Sequence, residues 1–172
     1  MACELLSGIV GVCDYSTSGV EKLWLANKAD ITGTTVYNPC GEVTGITWAH
    51  GTALVFNVEA ALDTVTFTDD LQVNGARRNF LQTVNFGVGN IQCTILGTLE
   101  DIGLANLVAF VKGADGLYRA FGLKGTGLRA TVMTDASGTA AGNDGAIAVT
   151  ISGTSLGKAS FVDATFAATF LV

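Results

Sequence analysis

A mainly β fold with a single flanking helix is predicted by three observations. Apolar residues alternate with period two in most segments. The 172 residues are punctuated by 22 glycines and one proline. Only residues 99–112 carry apolar positions at helical spacing over three turns. The expected architecture is a nearly all-β domain with that helix laid on its sheet and one long extended β-hairpin, in a single domain over residues 1–172.

In chain order, residues 1–20 are short and punctuated, with a turn signal from Asp14 to Gly19. Residues 21–27 (EKLWLAN) alternate, with Leu23 and Leu25 on one face and Trp24 on the other, as a strand does. Residues 27–35 read as loop, and Tyr37–Gly41 as a turn around Pro39. Residues 43–48 and 52–60 predict two strands joined around His50-Gly51. In residues 64–68, Thr64, Thr66 and Thr68 oppose Val65 and Phe67. Residues 69–79 (DDLQVNGARRN) are the most polar stretch, with an acidic pair, an Asn74-Gly75 turn signal and a basic pair. Residues 80–96 carry no charge. Together these predict a hairpin over about residues 52–96 with a polar, protruding tip.

The helix is expected at about residues 99–112. Ile102, Ala105 and Ala109 form its stripe, widened by Leu104, Leu107, Val108 and Val111, which are expected in the core or an interface. Thr98 with Asp101 fits a capping box, and Lys112-Gly113 an exit. Asp115-Gly116 is a hairpin signal; strands are expected at 117–123 and 128–133, separated by the flexible Gly122–Gly127 and followed by a soft loop over 134–145. Residues 146–152 place Ile147, Val149 and Ile151 on one face. Residues 161–172 read as a last strand, apolar on both faces, with Phe166 and Phe170 in the core or at a subunit boundary.

Only 14% of residues are charged, 15 acidic against 9 basic, for a net charge of −6. No run is long and apolar enough to cross a membrane, and MACELLSG lacks the basic and apolar regions of a secretory signal. A chain this apolar without a span is expected to hide surface in an assembly. Cys3, Cys13, Cys40 and Cys93 are irregularly spaced; buried free thiols are expected ahead of one disulfide or a metal. The single histidine, His50, fits a turn better than a general base. Asp69 and Asp70 are adjacent, so on a strand they point to opposite faces; a solvated tip is expected ahead of a cation site. The glycines form no phosphate loop, and the basic residues no nucleic-acid stripe. No enzymatic activity and no cofactor are expected.

The order of these pieces resembles a family. An early strand, Ser18-Gly19-Val20-Glu21-Lys22-Leu23-Trp24-Leu25-Ala26-Asn27, precedes Val43-Thr44-Gly45-Ile46. Then come a long hairpin, a helix after Gly97-Thr98-Leu99, and Asp115-Gly116-Leu117-Tyr118-Arg119-Ala120-Phe121-Gly122. Thr131 leads through Ser137-Gly138-Thr139-Ala140 into Gly145-Ala146-Ile147-Ala148-Val149-Thr150-Ile151-Ser152-Gly153. This arrangement resembles the tail tube (major tail) proteins of tailed bacteriophages, especially those of Bacteroidetes-type hosts, with Ser18-Gly19 where a glycine pair is more usual. The resemblance implies a β-sandwich or β-barrel-like subunit with a flanking α-helix, and a structural virion protein assembled in the bacterial host cytoplasm and residing in the phage tail. Six copies would form a ring, and rings would stack into a tube whose inner sheets join around a lumen that conducts double-stranded DNA. Implied partners are the chain itself, the tail terminator, the baseplate or tail tip, the ruler protein, and in some tails a sheath. The family's long hairpin loop contacts the neighbouring ring; here it matches Asp69, Asp70, Asn74, Gly75, Arg77 and Arg78.

A lumen through which DNA slides is expected to be acidic or neutral, because a basic lining would bind phosphate through counterion release. Glu42, Glu59, Asp63, Asp69 and Asp70 are the candidates for an acidic lining. The alternatives are a capsid decoration or head–tail connector subunit, the tube of a phage-related injection system, and a small-molecule-binding β-barrel.

Overall fold

The computed structural model of the chain describes residues 19–33, 35–58, 64–89, 93–136 and 146–171. It is mainly β, with two sheets and two helices. The first sheet has seven strands in the order β2-β3-β11-β8-β7-β1-β4, and the second four in the order β5-β6-β10-β9. In chain order these are β1 (Val20–Asn27), β2 (Val36–Tyr37), β3 (Val43–Gly45), β4 (Val55–Val58), β5 (Thr66–Asn74) and β6 (Arg77–Gly89). Helix α1 (Cys93–Leu104) follows, then β7 (Leu107–Gly113), β8 (Tyr118–Phe121), β9 (Arg129–Ala136), β10 (Ala146–Ser155), β11 (Ser160–Val162) and helix α2 (Ala164–Ala167).

The two faces of the seven-stranded sheet are both covered. Leu23, Leu25, Ala109 and Val111 point toward the four-stranded sheet and meet Val84, Phe86, Val149 and Ile151 in one core. Trp24, Ala26, Val108 and Phe110 point the other way into a second core. Ile31, Ile46, Trp48 and the C-terminal Ala167, Phe170 and Leu171 close that second core. The strict alternation of Leu23, Trp24, Leu25 and Ala26 thus divides one strand between two cores, and all four side chains are buried.

The helix sits earlier than its spacing predicts. It ends at Leu104, and Leu107–Gly113 is β7, a central strand paired with β1 and β8. Leu107, Val108 and Val111 are core residues of a strand, and Leu104 is 90% exposed. Thr98 and Asp101 lie inside α1 rather than at its start, and Lys112-Gly113 closes the strand. The helix buries Leu99 and packs Ile102 against the first core; Ala105, just beyond its end, packs there too.

The hairpin spans β5 and β6 rather than 52–96. Its ladder runs without a break from Thr66↔Asn85 to Asn74↔Arg77, so the polar residues 69–79 are strand up to a two-residue turn. The turn is Gly75-Ala76, between the paired Asn74 and Arg77, and Gly75 holds φ +62° at its first position, where a two-residue hairpin turn needs positive φ. The strands expected at 43–48 and 52–60 do not pair with each other: β3 joins β2 and β11, and β4 joins β1. His50-Gly51 does form a turn, with Gly51 N donating to Trp48 O at 3.1 Å. The expected last strand is shorter. After β11, Asp163 caps α2 by accepting from Phe166 N at 3.0 Å. Phe170 then sits with its ring centroid 5.3 Å from Phe110 and 5.7 Å from Trp48. Phe166 and Phe170 are half-buried on the second core, reached from helical turns and not from a strand. Cys40 is exposed, against the expectation of burial. Cys3 and Cys13 lie outside the described residues, as do 137–145.

Candidate assembly surfaces

The outer face of the four-stranded sheet is built by period two. In β5 and β6, Phe67, Val84 and Phe86 turn inward, so Thr66, Thr68, Asp70, Thr83 and Asn85 turn outward. In β10, Ile147, Val149 and Ile151 turn inward, leaving Ala148, Thr150, Ser152 and Thr154 outside. Hydroxyls and amides link across this face. Asn85 Nδ2 donates to Thr66 Oγ1 at 3.2 Å, and Thr150 Oγ1 donates to Asn85 Oδ1 at 2.8 Å. Thr131 Oγ1 donates to Thr150 O at 3.3 Å. Side chains thus link β5, β6 and β10 in series, and the bond onto the Thr150 carbonyl extends the row to β9. By the same register, the charged residues on this face, among those described, are Asp70, Arg129 opposite Ser152, and Arg77 opposite Asn74.

Both edges of this sheet are open among the described residues, at β5 with nine residues and β9 with eight. By contrast, the edges of the larger sheet are β2 with two residues and β4 with four. Long unpaired edges are a liability that a monomer normally blunts.

The hairpin tip carries a second surface. Its inward-parity residues Leu71 and Val73 pass beyond the core and are 54% and 62% exposed. Arg77 and Arg78 stand exposed beside the turn. At the base of the hairpin, Asp69 faces inward and accepts from Ala159 N at 2.8 Å. Gln82, its cross-strand partner, is buried and accepts from Gly122 N at 2.7 Å. These two residues anchor the hairpin root to the loops following β8 and β10. The loop after β8 lies so close to β10 that a Cβ on Gly153 would fall 2.3 Å from Gly127 O, which only glycine permits. Arg119 adds a cross-sheet tie: its guanidinium lies 5.5 Å from the Phe67 ring and 5.3 Å from the Phe161 ring. Its bond to Asp115 Oδ2 at 2.6 Å, reinforced by Leu117 N, holds the Asp115 carboxyl below the ordinary carboxylate range.

A third surface is a cleft of about 380 Å³ between α1 and β4, lined by Phe56, Val58, Thr98, Asp101 and Ile102 among others. Phe56 is 58% exposed there.

Of the acidic lumen candidates among the described residues, only Asp70 stands on the outer face of the small sheet. Asp69 turns into the sandwich. Glu42 closes the β2–β3 turn, accepting from Asn38 Nδ2 at 2.8 Å. Glu59 and Asp63 lie outside the described residues. Asn74, Gly75, Arg77 and Arg78 are brought together at the tip as their turn signal predicts. Sequence reasoning missed Asn85, Thr150 and Gln82. The run of hydroxyls at alternate positions was a signal for the first two; a buried glutamine carries none. His50 is exposed and lies 4.0 Å from Asp30. Among the described residues, no three His, Cys, Asp or Glu side chains gather as a metal site would require, and no helix is long and apolar enough to cross a membrane. Comparison with protein-family models, curated proteins and solved structures yields no match.

Proposed function

We propose that this chain is a structural subunit of a phage-type tail tube. One observation carries the reading. The small sheet has an even number of strands, all paired antiparallel, with a long open strand at each edge. Placing β9 of one copy beside β5 of the next continues the antiparallel alternation, so identical copies can close a ring without a mismatched seam. Six copies of a four-stranded sheet, closed at a strand spacing of about 4.8 Å and a tilt of about 40°, enclose a bore of roughly 40 Å once side chains are subtracted. That bore admits a B-form duplex.

The outer face then lines the lumen. Its hydroxyls and amides bond largely to one another, and it offers few cations to displace counterions from passing phosphates. DNA is therefore not retained. In this reading the lining is sparsely charged rather than acidic: Asp70 shares it with Arg129, opposite Ser152, and with Arg77, opposite Asn74 at the tip. The larger sheet, α1 and the C-terminal helix form the wall, and the hairpin tip reaches the neighbouring ring.

Electron microscopy of the purified protein tests this. Stacked rings with a central channel support the reading. Trimers seated on a capsid lattice, or a single ring per particle, favour another virion role, and a monomer under all assembly conditions overturns the reading.

A further inference from the structure

We infer that the cleft between α1 and β4 receives the hairpin tip of a second copy of this chain. The inference rests on the assembly reading above and names the receptor which that reading leaves open. Three features on the two surfaces match. The tip presents an unpartnered aliphatic pair, Leu71 and Val73, more than half exposed. The cleft is apolar inside, with Phe56, Val58 and Ile102, and its volume of about 380 Å³ accommodates two aliphatic side chains. Charge is also complementary: Arg77 and Arg78 flank the tip, while exposed Glu100 and Asp101 stand on the helix that forms the cleft wall.

The two surfaces cannot meet within one copy. Leu107 of the cleft wall bridges Leu128, and Arg129 beside it stands opposite Ser152, which pairs with Thr83 of β6. The cleft therefore lies level with the middle of β6 and on the far side of β10 and β9, away from the tip at Asn74–Arg77. A knob and a socket that lie apart on one copy meet only between copies, in a heterologous contact that repeats from one copy to the next. The apolar pair supplies the burial, and the charges set the orientation of approach.

The test joins the surfaces covalently. The full chain carrying Val73→Cys and Ile102→Cys is assembled and oxidised, and linked peptides are identified by mass spectrometry. The expected result is a 73–102 link between copies. In a second experiment, Arg77→Glu with Arg78→Glu lowers the yield of that link about threefold or more, and adding Glu100→Arg with Asp101→Arg restores it. All four positions are exposed, so the folded state survives these changes; melting curves of each variant check this. Tubes that form without a 73–102 link overturn the receptor assignment and leave the tube reading standing. A 73–102 link in chains that have no lumen keeps the contact and overturns the tube. Chains that stay monomeric overturn both.

Discussion

Gln82 Oε1 accepts a hydrogen bond from Gly122 N at 2.7 Å, from a side chain only 1% exposed. This bond ties the hairpin strand β6 to the glycine loop beyond β8, and so joins the two sheets at one end of the sandwich. The Gln82 amide nitrogen faces Gly157 O at 3.4 Å and Asp69 Oδ1 at 3.5 Å, which completes the tie.

Gln82→Leu preserves volume but leaves Gly122 N without its acceptor in a buried place. The expected loss is about 1–3 kcal/mol. For a chain of this length that lowers the melting temperature by about 2–10 °C. Thermal denaturation followed by circular dichroism checks it, and an unchanged midpoint would show that the bond contributes nothing.

Leu104 and Val108 separate the observed strand from the expected helix. On a helix from 99 to 112 they share a face, and a charge at either would be equally damaging. In the structure Leu104 is 90% exposed and Val108 is fully buried in β7. Leu104→Lys should leave melting within about 0.5 kcal/mol of the wild type. Val108→Lys should unfold the chain, because it buries an unpaired ammonium. Equal effects from the two substitutions would argue for the helix.

That contrast shows why the helix was misplaced. Residues 107–113 (LVAFVKG) lie between two cores, so almost every side chain is buried and no alternation survives to mark a strand. A continuous apolar run is ambiguous between a buried strand and a helix. Ile147, Val149 and Ile151 were legible because the other face of β10 is polar. Asn74-Gly75 and Asp115-Gly116 were legible because their turns need residues that tolerate positive φ. Gln82 was not, since a polar residue in an alternating strand reads as outward whichever way it points. The outer face was half legible: its hydroxyls alternate in β5 and β10, but their linkage through Asn85 depends on which strands become neighbours.

Asp115 gives the fold a predictable response to acid. Its bond to Arg119 depresses its pKa in the folded chain. The ionised form is therefore the stabilising one, fully present above the unfolded value of about 3.9 and lost as pH falls through the lower folded value. Solvent reaches both side chains, which limits the pair to about 0.5–1 kcal/mol. Asp115→Asn keeps an acceptor for Leu117 N and removes the charge. It should melt about 1–4 °C below the wild type at pH 7, with the gap closing as pH falls below the ordinary carboxylate range. A gap that stays constant across that range would exclude the ion pair as its source.

The sparsely charged lining makes the sharpest demand on the proposed tube. Thr83 stands on the outer face of β6 opposite Thr68 and Ser152, away from both sheet edges. Thr83→Lys would add a second cation per subunit to the row that runs from Thr68 through Thr83 and Ser152 to Arg129, at one height around a lumen. Each cation that meets a phosphate releases counterions, and the resulting drag falls steeply with salt, by a slope of about 0.9 in log–log terms per contact. Tubes carrying Thr83→Lys should assemble, yet release DNA more slowly than the wild type, with the deficit shrinking as salt rises. Thr83→Val, which removes the hydroxyl without adding charge, should release DNA at the ordinary rate. Slow release from both variants would trace the defect to lost hydroxyl contacts rather than to charge. Normal release from Thr83→Lys at low salt would place this face away from the DNA, and failure of that variant alone to assemble would place it at a contact between subunits.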